Sequence, residues 1–80
     1  MNNTIKLFTQ PNCPQCVQAK VALEGAGFTF DTLGIDALPE ACEAIGMDIT
    51  QIKSSPVIIQ EDMIWTGADC VVAVEEGELV

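Results

Sequence analysis

A change of hydrophobic period near the start of the chain narrows the available folds more than any other feature. Thr4-Ile5-Lys6-Leu7-Phe8-Thr9 is β-branched and apolar, reads as a strand, and is stopped by Gln10-Pro11-Asn12. From Cys13 to Ala26 the period becomes helical. Cys16, Ala19, Leu23 and Ala26 recur at three- and four-residue spacing, with Val17 and Val21 on an adjoining row. Gly25 and Gly27 close that helix. Phe28-Thr29-Phe30-Asp31-Thr32-Leu33 then alternates apolar and polar, as a half-buried strand does. Strand, helix and strand in this order make a β-α-β unit.

The remainder extends the unit. Pro39 suits the first turn of a second, shorter helix running to about Ile45, with Gly46 as its stop. Asp48 to Ser55 reads as a loop. Pro56-Val57-Ile58-Ile59-Gln60 is a third strand, and Glu61-Asp62 turns the chain into Met63-Ile64-Trp65 as an antiparallel hairpin. Val71-Val72-Ala73-Val74 alone would suit a strand. The wider spacing of Ala68, Val71, Val72 and Glu75, with Gly77 behind it, predicts a helix over 68–76. The order is β-α-β-α-β-β-α. Eighty residues, 49% of them apolar, predict one domain spanning 1–80 with a single compact fold.

Charge sets limits on partners. Twelve acids stand against three lysines, with no arginine or histidine, giving a net charge of −9 that repels nucleic acid and anionic membranes. No apolar run approaches the roughly 18 residues of a membrane span. Met1-Asn2-Asn3-Thr4 has neither the basic cluster nor the apolar stretch of a secretory leader, so a cytosolic address is expected. The acids are unevenly spread. Residues 1–23 hold none, but do hold Lys6 and Lys20; all twelve lie between Glu24 and Glu78. This is the pattern of a solvated acidic surface, and it also spares the Cys13 segment negative charge that would raise a thiol's pKa.

Cys13-Pro14-Gln15-Cys16 stands where the first strand turns into the first helix. A cysteine at a helix start meets unpaired backbone N–H groups and the positive end of the helix dipole, both of which favour a thiolate. Such sites lower a thiol's pKa from about 8.5 to about 7 or below, and only the thiolate attacks a disulfide. Pro14 suits the first helical turn, where its missing N–H is not needed. Cys16, one turn on, can resolve a mixed disulfide by attacking the Cys13 sulfur. The redox group is then the Cys13–Cys16 disulfide itself, with no bound cofactor. A different class of reading, a zinc or iron–sulfur binding module, needs two more ligands, and only the isolated Cys42 and Cys70 remain. Those two read as small buried hydrophobes, or as thiols that react under oxidation.

Phe8-Thr9-Gln10-Pro11-Asn12-Cys13-Pro14-Gln15-Cys16 resembles the active-site segment of glutaredoxins and, more closely, of NrdH-redoxins, which are glutaredoxin-like proteins with thioredoxin-like behaviour. Ser55-Pro56-Val57 resembles the cis-proline loop of that family, and Trp65-Thr66-Gly67 its tryptophan–serine–glycine signature. Gly27-Phe28-Thr29-Phe30 and Leu38-Pro39-Glu40-Ala41 are also similar to segments of the NrdH subfamily. The resemblance implies an α/β, thioredoxin-like fold of the glutaredoxin type, with a central four-stranded mixed sheet flanked by helices.

The resemblance further implies a monomeric thiol–disulfide oxidoreductase with Cys13 and Cys16 catalytic. Around them it implies substrate contacts from Thr9, Gln10, Pro14 and Gln15. Ser55, Pro56 (cis by analogy) and Val57 belong to the same surface, with Trp65, Thr66 and Gly67 beside them. Thr9 and Gln10 equally suit a strand end, and Trp65 equally suits the core. NrdH-redoxins pass electrons from thioredoxin reductase to ribonucleotide reductase, whereas glutaredoxins take electrons from glutathione. Glutathione users usually carry a basic residue three positions before the first cysteine, where this chain has Gln10. They also carry a Gly-Gly pair and an Asp near the last helix, of which Gly67-Ala68-Asp69 is only part. The implied reductant is therefore thioredoxin reductase, with glutathione as the alternative. After Trp65-Thr66-Gly67 the NrdH subfamily continues with an aromatic residue and Arg-Pro-Asp; this chain passes directly to Ala68-Asp69-Cys70. Lys53, just before the proline loop, reads as an exposed lysine that could meet an anionic partner.

Overall fold

A computed structural model of the chain describes residues 4–48, 52 and 55–79. Lys53 lies outside the described residues. The elements are β1 (Ile5–Thr9), α1 (Pro14–Gly25), β2 (Phe30–Gly34), a 3₁₀ turn (Ile35–Ala37), α2 (Leu38–Ala44), β3 (Val57–Gln60), β4 (Met63–Thr66) and α3 (Asp69–Glu75). The sheet order is β2-β1-β3-β4. β1 pairs with β2 in parallel, and β3 pairs antiparallel with both β1 and β4. This is the mixed four-stranded sheet of a thioredoxin-like fold.

Strand alternation divides the interior into two cores. Ile5 and Leu7 of β1 and Ile58 of β3 face one side, where Ala19 and Leu23 of α1 and Cys70 and Val74 of α3 cover them. Phe8, Val57 and Ile59 face the other side, under Leu38 and Cys42 of α2. β1 therefore has both faces buried and a bonded strand on each edge. Loss of side-chain volume at fully buried Leu7 would be felt at once: Leu7→Ala is expected to lower stability by about 3 kcal/mol on chemical unfolding.

Two strand starts differ from the sequence reading for a local reason, and other element ends shift by about one residue. The strand expected from Phe28 begins at Phe30. Phe28 is occupied elsewhere, because its N–H donates to the Leu23 carbonyl at 3.1 Å while that of Gly27 donates to Glu24 at 3.1 Å. This pair of bonds closes α1 with Gly27 in the left-handed region at φ +83°. α2 and α3 end on the same bond pattern at Gly46 and Gly77. The strand expected from Pro56 starts one residue later, since Pro56 has no N–H to give the ladder. The short 3₁₀ turn before α2 was not foreseen. The tail is helical, as the spacing of its apolar residues predicts.

Topology also gives the molecule two ends. β1 delivers the chain to Cys13 at the end where β2 finishes, β3 begins and β4 finishes. α1, α2 and α3 all start at this end and run back along the sheet. Among the described residues, no helix is long and apolar enough to cross a membrane.

Candidate active site

The approach to Cys13 is a tight turn. Pro11 followed by Asn12 at φ +58° suits a type II turn, with asparagine tolerating the left-handed conformation. Cys13 is then extended (φ −118°, ψ 99°) and acts as the N-cap of α1, with Pro14 in the first helical turn. Its sulfur takes the place of the usual capping oxygen, accepting the Cys16 N–H at 3.1 Å. The Cys13 carbonyl also accepts from Cys16 and from Val17, at 3.1 and 3.3 Å. No acid sits in the first turn of α1. The helix start thus presents donors and no competing anion to the sulfur.

Cys13 and Cys16 form a disulfide, with Cα atoms 5.2 Å apart. The two sulfurs are unequally accessible: Cys13 is half-buried and Cys16 only 4% exposed. An open groove of about 590 Å³ borders the pair, lined among others by Thr9, Gln10, Pro14, Val17, Lys20 and Thr32. Among the described residues, Lys20 is the one charged residue of that lining. Val17 is 62% exposed, an apolar surface one turn beyond Cys13 on the same helix face.

The proline loop closes the other side. The Ser55–Pro56 peptide bond is cis, and the Ser55 hydroxyl lies 3.7 Å from the Cys13 sulfur. The Pro56 carbonyl accepts from the Gly67 N–H at 2.8 Å and from the Cys70 thiol at 3.3 Å. Thr9, Gln10, Pro14, Ser55, Pro56 and Gly67 are therefore drawn around or directly behind the disulfide. Gln15 is exposed on α1, and the Val57 side chain is fully buried in the core under α2. Trp65 and Thr66 are half-buried at the end of β4, and Trp65 packs on the core beneath α1 and α3.

The remaining thiols lie on opposite faces of the sheet, Cys70 on the inner side of α3 and Cys42 on that of α2, so the four cysteines do not converge. Burial pushes the Cys70 thiol up to about 12; backbone hydrogen bonds lower it by less, and the Asp69 charge adds slightly to the rise. Burial also raises Cys42. The resemblance implies a proline loop lying against the active-site cysteines, as found, but neither the Ser55 hydroxyl contact with Cys13 nor the Cys70 bond to that loop is read from the sequence. Both join residues far apart in the chain, and no local pattern signals them.

Known proteins can be set beside this geometry. The glutaredoxin family profile matches residues 5–64. Glutaredoxin-like protein NrdH of Escherichia coli K12 is 36% identical over 63 residues, 79% of this chain and 75% of its own length. The Salmonella typhimurium NrdH protein is 31% identical over 64 residues, 80% and 76% of the two chains. The solved structure of the E. coli NrdH-redoxin superposes with a TM-score of 0.68 at 32% identity, covering 91% of this chain and 92% of that one. Glutaredoxin 1 of Francisella tularensis gives 0.68 at 27% identity, covering 95% of each. Family profile, relatives and geometry agree: the chain belongs to the glutaredoxin family and is a thiol–disulfide oxidoreductase of the C-x-x-C type.

Proposed function

We propose that this protein is a cytosolic, monomeric electron carrier in which Cys13 attacks a disulfide of a protein partner and Cys16 resolves the product. The accessible Cys13 sulfur at the start of α1, with Cys16 buried beside it, is the observation that carries the reading. In the reduced protein the Cys13 thiolate attacks one sulfur of the partner disulfide. A Cys13–partner bond forms, the partner's S–S bond breaks, and the displaced thiolate takes a proton. Cys16 loses its proton and attacks the Cys13 sulfur. The mixed disulfide breaks, the second partner sulfur leaves as thiolate, and the Cys13–Cys16 disulfide remains. Two electrons have passed to the partner, and a reductant must return two.

Thioredoxin reductase is the reductant we favour, and ribonucleotide reductase the acceptor. Gln10 supports this, since it stands where a cation would hold a glutathione carboxylate. The related E. coli NrdH-redoxin is described as having a thioredoxin-like activity profile. Thr9, Gln10, Pro14, Gln15, Ser55, Pro56, Val57, Trp65, Thr66 and Gly67 form the proposed partner surface, with Val57 contributing backbone only.

NADPH consumption with insulin as final acceptor tests the reading. One assay contains thioredoxin reductase, the other glutathione with glutathione reductase. Turnover with thioredoxin reductase alone is expected. Turnover with glutathione alone would make the protein a glutathione-dependent glutaredoxin despite Gln10.

A further inference from the structure

We propose that the Ser55 hydroxyl is a catalytic residue, a second hydrogen-bond donor to the Cys13 thiolate alongside the Cys16 N–H. This rests on the reading of Cys13 as the nucleophile. The hydroxyl oxygen lies 3.7 Å from the Cys13 sulfur. In the disulfide that sulfur carries no proton, and in the thiolate it carries none either. In both states the hydroxyl must therefore be the donor, and the bond strengthens when the sulfur becomes an anion.

The hydroxyl is held in place by the opposite end of the chain. The Pro56 carbonyl, one residue on, is fixed between the Gly67 N–H at 2.8 Å and the Cys70 thiol at 3.3 Å. The same thiol reaches the Trp65 carbonyl at 3.4 Å. Cys70 is fully buried and keeps its proton throughout the working pH range, so it remains a donor there. Cys70 is thus a positioning residue for the loop that carries Ser55. Among the described residues, the charged groups on the elements around Cys13 are few. Lys20 lines its groove from α1, Asp69 stands in the first turn of α3, and Asp36 lies in the 3₁₀ turn after β2. None of them is replaced in the test below.

Donation to the thiolate has two opposed effects. It raises the fraction of Cys13 ionised at a given pH, and it slightly lowers the attacking power of each thiolate. A residue that merely filled space would produce neither.

The test compares Ser55→Thr with Ser55→Val, which share a shape and differ by one hydroxyl, and adds Ser55→Ala as a smaller hydroxyl-free variant. The rate of iodoacetamide alkylation of the reduced protein is followed against pH, with the modified cysteine identified by peptide mass spectrometry. Below the midpoint, Ser55→Val and Ser55→Ala are expected to react about three- to ten-fold more slowly than Ser55→Thr, equivalent to a midpoint about 0.5–1 pH unit higher. At high pH the order reverses by a small factor. Coincident Ser55→Thr and Ser55→Val profiles, with Cys13 modified first, would overturn the Ser55 role and leave the nucleophile intact. Modification of Cys16 first would overturn both.

Discussion

The two ends of this molecule are built from the same sheet and helices, yet they differ in almost every property that matters for chemistry. At the cysteine end the helix starts converge, the first 23 residues contribute no acid, and a sulfur caps α1. At the far end the helices finish and carboxylates collect: Glu24, Glu61, Asp62, Glu75, Glu76 and Glu78. Among the described residues, no helix has a base in its last turn. Acids near helix C-termini oppose the macrodipole, by about 0.3–1 kcal/mol each at low salt. The cysteine end is not free of acids, since Asp36, Glu40 and Asp69 stand in the first turns of the 3₁₀ turn, α2 and α3, but the first turn of α1 has none. Both ends also use a left-handed residue to turn the chain, Asn12 at φ +58° and Glu61 at φ +57°. Asparagine tolerates that conformation; glutamate does so at a cost of about 1–2 kcal/mol.

If function belongs to one end, the largest effect must come there. Cys13→Ser should abolish disulfide reduction, by about a thousand-fold or more, since a hydroxyl at neutral pH does not replace a thiolate. Cys16→Ser should retain the first attack and accumulate the mixed disulfide, visible as a covalent adduct on a non-reducing gel. Full turnover in Cys13→Ser would dissolve the contrast between the ends.

Behind the active end, Cys70 supplies the next effect. Its folded-state pKa, about 12, lies above the ordinary thiol value of 9.0. Between these values the unfolded chain loses a proton that the folded chain keeps. The Cys70 contribution is therefore constant below pH 9 and falls above it, by at most about 1.4 kcal/mol per pH unit. Urea titrations from pH 8 to pH 11 should show this decline, and Cys70→Ala should lack that component of it.

Smaller effects belong to the far end. Glu61→Gly should raise stability by about 1 kcal/mol, because glycine adopts the left-handed conformation without strain and a like charge is removed. Thermal unfolding reads this directly, and insulin reduction should be unchanged. Glu76→Lys should add about 0.5 kcal/mol at low ionic strength and less in 0.5 M salt, by reversing an unfavourable charge at the end of α3. A fall in turnover for either variant would mean that the far end takes part in function after all.

How much of this was written in local sequence depends on the range of the interaction. The period change around Cys13, the glycine stops and the turn at Glu61-Asp62 all act within a few residues, and each produced its element. The start of β2 was misplaced because Phe28 looks like a strand residue but spends its N–H on closing α1. Cys13 at the helix start was legible from Pro14 and the apolar spacing that follows. The surroundings of its sulfur were less so. Ser55 reaches it across 42 residues of chain, and Cys70 reaches the Pro56 carbonyl across 14. Trp65 illustrates a third case. An amphipathic side chain at a strand end suits groove or interior equally, and only the packing of α1 and α3 decided that it leans on the core.

The burial of β1 on both faces has a consequence for how faithfully the reactive sulfur can be placed. Its odd residues Ile5 and Leu7 are committed to one interior and Phe8 to the other. A slip of one residue would exchange those commitments and drive Lys6 into an apolar interior. Intermediate positions are therefore closed to the strand, and it sits in register or not at all. Cys13, four residues beyond its end, inherits a location that is set in whole steps. Sequence drift elsewhere can soften the protein without smearing the point from which electrons leave.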